Sequence, residues 1–387
     1  MVEIWVPYGP VEVSFDIRQE NLSQIIEPQT KKLSKEEIEA KVLETAGCDS
    51  ILLLTATGGT LEILDSLLSN NKNIKKILYP KHLATLAKHK SQEFEIPVSE
   101  ELIISELSEI GSVDNTQGSI FTQLKNSSNL LVVTSLHYDP MFGLTSAASD
   151  IVSLNQSMKS EAFKRSIDDL PTSSSNSNAN WYATRLIQNC PNVSALEVIE
   201  KTGVGSVGVF SGEPEATHAK AIDFWKSTLS ASIPTRVERI LFGCGGGQND
   251  ISLTHALARS FFNVVNNASM KDSEAKICML AECSQGLGSE AFFRYVTGRF
   301  TPGANLDQLS YFDGLEVLLS FYKIQGQLDL ALISTLPKYY GEKFQFKVYS
   351  GAREAPSAVV SPGSRAKISV VPDASSISFK VGTNEVI

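Results

Sequence analysis

Two glycine-rich turns in the second half of the chain constrain its fold more than any other feature. The first reads Leu241-Phe-Gly-Cys-Gly-Gly-Gly-Gln-Asn-Asp250 and the second Leu280-Ala-Glu-Cys-Ser-Gln-Gly-Leu-Gly-Ser-Glu290. Each follows a short apolar run, Arg239–Phe242 and Lys276–Leu280, that reads as a buried parallel strand, and each leads into a helix. Successive strand–turn–helix units bring backbone N–H groups to neighbouring strand ends, where open α/β sheets bind ligands, anionic ones especially. Gly245, Gly246, Gly247, Gly286 and Gly288 are therefore candidate anion- or cofactor-binding positions, although a tight strand–helix connection alone also calls for glycine. Asp250 and Glu290 follow the turns and either bind ribose hydroxyls or cap helices.

The first half repeats the pattern. Glu3–Val6 and Val11–Ile17 alternate around Pro7-Tyr-Gly-Pro10 as a hairpin, and Ser34-Lys-Glu-Glu37 is a capping box opening a helix to about Thr45. Ser50–Leu54, Lys75–Tyr79 and Asn129–Thr134 read as strands. The turn Thr55–Thr60 precedes a helix over Leu61–Leu68, and another helix lies near Leu83–Lys90. Ala195–Glu200 and Val204–Phe210 read as further strands, and Glu213–Leu229 as a long helix. The order predicts two α/β domains with mostly parallel sheets, helices on both faces and a ligand cleft between them. A linker at Ser232–Arg236 places the domains at 1–233 and 237–360, with terminal strands in 366–384 alternating like edge strands and returning to the first domain. The polar run Pro171–Asn180 is either an active-site flap or a surface loop.

With 42% hydrophobic residues, 20% charged and a net charge of −9, the chain is of ordinary globular composition without a basic cluster, which argues against nucleic acid or an anionic membrane as partner. No apolar run approaches the length of a membrane span and the start lacks a signal-peptide pattern, so the expectation is a soluble cytoplasmic protein with a small anionic substrate. Five scattered cysteines without a C-x-x-C pair argue against a zinc or dithiol site, so no metal ligand is assigned. The five Asn-x-Ser sequons, Asn21 and Asn155 among them, are read as compositional accidents.

Four segments carry a likeness to a known family: Val6-Pro-Tyr8 at the start, Ser211-Gly-Glu-Pro-Glu-Ala-Thr-His218 running on to Asp223-Phe224, the two glycine turns in order, and Val370-Val-Pro-Asp373 near the end. In these the chain resembles the nickel-dependent lactate racemases. The resemblance implies a racemase or epimerase of a 2-hydroxy acid or sugar acid, using a nickel-pincer nucleotide as hydride acceptor and histidines as bases toward the hydroxyl. The implied catalytic residues are His82, just after the strand Lys75–Tyr79, and His137. Thr57 and Thr60 occupy the place of the family's substrate-gripping arginine, with Lys81 as a replacement cation. His255 and Arg259 fall near its substrate-binding pair on the helix after the first glycine turn. The segment Thr145-Ser-Ala-Ala-Ser149 has no counterpart of the family's cofactor-anchoring lysine, and no histidine stands between His137 and His218 for its nickel ligand. The alternative reading is an inactive or repurposed relative that binds a hydroxy acid or nucleotide in the cleft.

Overall fold

A computed structural model describes residues 1–45, 47–97, 128–172, 177–233, 237–267, 275–303, 310–361 and 363–381. Two sheets organise these residues. The first has five strands in the order Gly205–Gly212, Val193–Lys201, Leu130–Ser135, Ser50–Leu53, Lys76–Leu78. Only the pair Gly205–Gly212 with Val193–Lys201, at one edge, is antiparallel. Every residue of Ser50–Leu53 and Leu130–Ser135 is buried, as expected of parallel strands covered on both faces. The second sheet has six parallel strands in the order Lys347–Tyr349, Asp329–Ile333, Lys276–Leu280, Arg239–Gly243, Ile368–Val371, Leu22–Ile25. The α/β class with mostly parallel strands is thus as the sequence predicts.

The expected hairpin forms between Val2–Tyr8 and Val11–Ile17. Its alternation buries Ile4, Val6, Phe15 and Ile17 against Leu241, Cys278 and Leu280 of the second sheet and leaves Trp5 exposed. The Ser34 capping box is present on the helix Lys35–Leu43. The helix after Ser50–Leu53 begins at Gly58, three residues before the expected start. Thr57 and Thr60 close their own capping box and draw the two glycines into the first turn. The polar run ends sooner than expected too, because Ser177 caps a helix over Asn178–Ile187; residues 173–176 lie outside the described ones.

The tail departs from expectation. Ile368–Val371 is fully buried and interior to the second sheet, between Arg239–Gly243 and Leu22–Ile25, because its Ile-Ser-Val-Val run can cover both faces. Only Ser378–Val381 reaches back, pairing in parallel with Ser230–Ile233, so Ser232 and Ile233 are strand and not linker; residues 234–236 lie outside the described ones. The first 25 residues pack with the second sheet, since Leu22–Ile25 forms its edge. Asn21 is buried there, its amide donating to the Ser364 and Ala366 carbonyls, and Asn155 caps a helix through Met158 N–H. Both asparagines are buried, so neither sequon is presented to solvent.

One hydrophobic core runs unbroken from Leu52, Leu130 and Val132 of the first sheet, through the helices Ala147–Ser153, Gln156–Ser166 and Asn178–Ile187, to Ile240, Phe242, Ile277 and Met279 of the second. Within it Lys159 meets Glu316 of the helix Leu315–Ile324 at 3.0 Å, and the Glu316 side chain is only 3% exposed. All five cysteines are buried, and none is in a disulfide. Among the described residues no helix is long and apolar enough to cross a membrane.

Candidate functional site

Strand ends and loops of both sheets enclose a cavity of about 490 Å³. From the first-sheet side come Thr57 at the mouth of the helix Gly58–Asn70, His137 beyond the strand Leu130–Ser135, and Glu200 to Thr202 where Val193–Lys201 ends. From the second come Gly245–Asn249, Arg259 and the segment Ser375–Ser376. Thr202 closes the gap between them, its hydroxyl donating to the Gly245 carbonyl at 2.9 Å and its N–H to Asp373 at 3.4 Å.

His137 is held by Nδ1, 3.1 Å from the Ser135 carbonyl. A carbonyl oxygen can only accept, so in the tautomer that makes this contact Nδ1 carries the proton and Nε2 keeps the lone pair of a neutral ring. Burial, with the Arg259 charge beside it, pushes the imidazole down to about 3, so the neutral ring is the form present at physiological pH. Thr145, on the segment where the family's lysine is missing, is instead a second partner of Nδ1 at 3.1 Å.

Arg259 sits on a π-helical turn, Leu257–Phe261, which interrupts the helix that begins at Leu253. Its Nη1 donates to the Gln248 carbonyl at 3.3 Å and to Asn249 Oδ1 at 3.0 Å. Among the described residues it has no ion pair. Burial lowers its pKa from the usual value, and Asp150 and Asp139 nearby oppose this. Burial raises both carboxyls, Asp150 to about 7 and Asp139 to about 6, with Glu197 adding to the first and Glu316 to the second. Glu197 itself is fully buried and accepts from Ala147 N–H and from His218, both at 3.0 Å.

These groups give opposite pH slopes. Between about 3 and 6.5 the unfolded chain holds a proton at residue 137 that the native state lacks, so this term makes stability rise with pH. Between 3.8 and about 7 the native state holds the extra proton at Asp150, so that term makes stability fall with pH. A His137→Asn variant is expected to lose the rising term, tilting the urea midpoint between pH 4 and 6 toward the acid side relative to the unmodified protein. Parallel profiles for the two proteins would contradict this.

The first glycine turn lines the cavity, with φ of +85° at Gly245, +64° at Gly246 and +57° at Gly247. The Gly247 amide is spent on the Gly9 carbonyl at 2.8 Å. Gly246, with ψ −177°, lies in a region that is nearly glycine-only, and a Cβ there would stand 2.8 Å from the Gly9 oxygen. Gly246→Ala is expected to cost about 2 kcal/mol in chemical denaturation.

The second turn lies away from the cavity lining. The Gly286 and Leu287 carbonyls accept from Leu253 and Thr254, and a Cβ at Gly288 would collide with the Ser252 hydroxyl, so its glycines serve helix packing. Glu290 is exposed and pairs with Arg294 at 2.8 Å. Asp250 takes the Gly9 and Glu282 amides, a structural anchor. Thr60 is buried, its hydroxyl donating to the Thr55 carbonyl, and Lys81 is exposed on the turn Lys81–Leu83. The His82 side chain lies outside the described residues. His255 does not line the cavity; its Nδ1 meets Ser252 Oγ at 2.7 Å, and its charge also acts on His137.

The structure therefore brings together His137, Arg259, Thr57 and Gly245–Gly247 and adds Glu200, Thr202, Gln248, Asn249 and Ser375, which sequence reasoning missed. A signal was present for Glu200: a polar Glu-Lys-Thr-Gly run at a predicted strand end, the position where open sheets present ligand contacts.

No protein-family model matches the sequence, and no curated protein does. The fold is similar to that of the lactate racemase apoprotein from Thermoanaerobacterium thermosaccharolyticum, with a TM-score of 0.72 and 16% identity over 98% of this chain and 100% of that one. It is also similar to a Thermotoga maritima protein, with a TM-score of 0.59 and 10% identity over 91% of this chain and 99% of that one. The chain is thus lactate-racemase-like in fold.

Proposed function

We propose that the cavity binds a small 2-hydroxy acid or sugar acid, with the carboxylate on Arg259 and the hydroxyl directed at Nε2 of His137. The observation that carries this reading is the Arg259 guanidinium, which stands on a cavity wall without an ionic partner among the described residues, close to a neutral imidazole. A guanidinium matches a carboxylate with two parallel N–H donors, and an unprotonated ring nitrogen accepts from a hydroxyl. The likeness in fold to a lactate racemase supports the same ligand class. In this reading the segments flanking residues 234–236 act as two lobes around one ligand.

Racemase or epimerase activity is the second reading, favoured by the lone pair on His137, which can take the hydroxyl proton. Inversion at C2 also needs a hydride acceptor, and the nickel-pincer nucleotide implied by the family resemblance would supply it. The residues present do not fit a lysine-tethered cofactor of that kind. Thr145 and Ser146 are buried and committed to His137 and to a helix cap, and the Lys201 ammonium at the cavity is held by Glu27 at 2.9 Å and the Pro28 carbonyl at 2.8 Å. Among the described residues no three His, Cys, Asp or Glu side chains gather as metal ligands. Ligand binding is therefore the better-supported reading.

Thermal-shift titration with both lactate enantiomers tests it, and saturating ligand is expected to raise the unfolding temperature. No shift with lactate or with a longer hydroxy or sugar acid would refute it. Intact mass and nickel content after co-expression with cofactor-making enzymes test the second reading; an unmodified mass and no nickel are expected.

A further inference from the structure

We infer that Glu200 sets the specificity of this cavity: it admits a hydroxy acid whose far end is neutral and hydroxyl-bearing, and turns away one with a second carboxylate. The inference rests on the hydroxy-acid reading above and deepens it. Glu200 lines the cavity from the first-sheet wall, whereas Arg259 comes from the other. Its Oε2 accepts the Gly59 N–H at 2.9 Å, and its Oε1 accepts the Thr57 hydroxyl. The N-terminus of the 13-residue helix Gly58–Asn70, which would otherwise attract a ligand anion, is thus occupied by the chain's own carboxylate.

The arrangement is built into the backbone. A Cβ at Gly59 would stand 2.7 Å from Glu200 Cδ, so glycine is what lets the carboxylate reach the helix. No side-chain cation pairs with it: Glu200 has no ion pair among the described residues, and the ammonium of the adjacent Lys201 turns away to Glu27. With about four acceptor sites on its two oxygens, the Glu200 carboxylate keeps capacity beyond its bonds to the helix N-terminus, which a ligand hydroxyl can fill and a carboxylate cannot. A second anion there meets like charge in a partly enclosed site. The cavity, at about 490 Å³, also exceeds the volume of a three-carbon hydroxy acid, on the order of 100 Å³. The cavity therefore has room for a longer ligand, whose tail we place toward the Glu200 wall.

Malate and 2,4-dihydroxybutyrate share a four-carbon frame and differ in whether C4 is a carboxylate or a carbinol. Calorimetric titration of the full chain with both, and with lactate as the reference, decides the matter. 2,4-Dihydroxybutyrate is expected to bind at least tenfold tighter than malate, and Glu200→Gln to shrink that ratio at least tenfold. Equal or tighter malate binding by the unmodified protein, or an unchanged ratio in Glu200→Gln, would overturn the inference while lactate binding left the underlying reading intact. Failure of all three acids to bind would overturn both. Should Glu200→Gln not fold, the comparison on the unmodified protein decides alone.

Discussion

Glu316→Ala is expected to lower the stability of the fold by about 3–5 kcal/mol, the cost of stranding one charge of a buried ion pair. Lys159 is that charge. Burial works against its ammonium, and the surrounding acidic groups, Glu316 foremost, outweigh this and hold its pKa well above the usual value. Removing Glu316 leaves that ammonium with Asp313 at 3.5 Å, a side chain 67% exposed and so a screened partner. It also strips the Tyr311 hydroxyl of its acceptor at 2.8 Å. Urea denaturation at neutral pH measures the loss. The double variant Lys159→Met with Glu316→Leu is expected to recover most of it, because removing both charges leaves no buried ion without a partner. A single variant within 1 kcal/mol of the unmodified protein would show that the pair is already solvated.

Arg259→Met is expected to weaken lactate binding at least 100-fold, about 2.7 kcal/mol, which is the range of a hydrogen-bonded charge pair lost from a partly buried site. Methionine keeps much of the apolar stem, so the fold survives while the fork is lost. Arg259→Lys is expected to fall between the two, since a point charge remains but two parallel donors do not. Calorimetric titration of the three proteins provides the measurement, with thermal unfolding as the check on folding. Equal affinities across them would remove Arg259 from the site.

The parts of this fold legible in the sequence are those set by local pattern. The apolar runs at Ser50–Leu53, Leu130–Ser135, Arg239–Gly243 and Lys276–Leu280 all form parallel strands, and the capping box at Ser34 starts its helix. What local pattern leaves open is which of two similar segments faces the cavity. The two glycine turns look alike as strings, yet one lines it and the other packs under Ser252, a difference fixed by neighbours distant in the chain. Glu200 escaped for the same reason, since its meaning depends on Gly59, 141 residues earlier. The tail misled because alternation in Ile368–Val371 suits an edge strand as well as an interior one, and only the pairing with Leu22–Ile25 distinguishes them.

That pairing bears on how the molecule comes to be made. Leu22–Ile25 has its strand partner in Ile368–Val371, so the earliest-translated edge emerges from the ribosome long before the segment that completes it. Until then its amides stay open to solvent and to neighbouring nascent chains, a condition that favours chaperone capture and slow final closure.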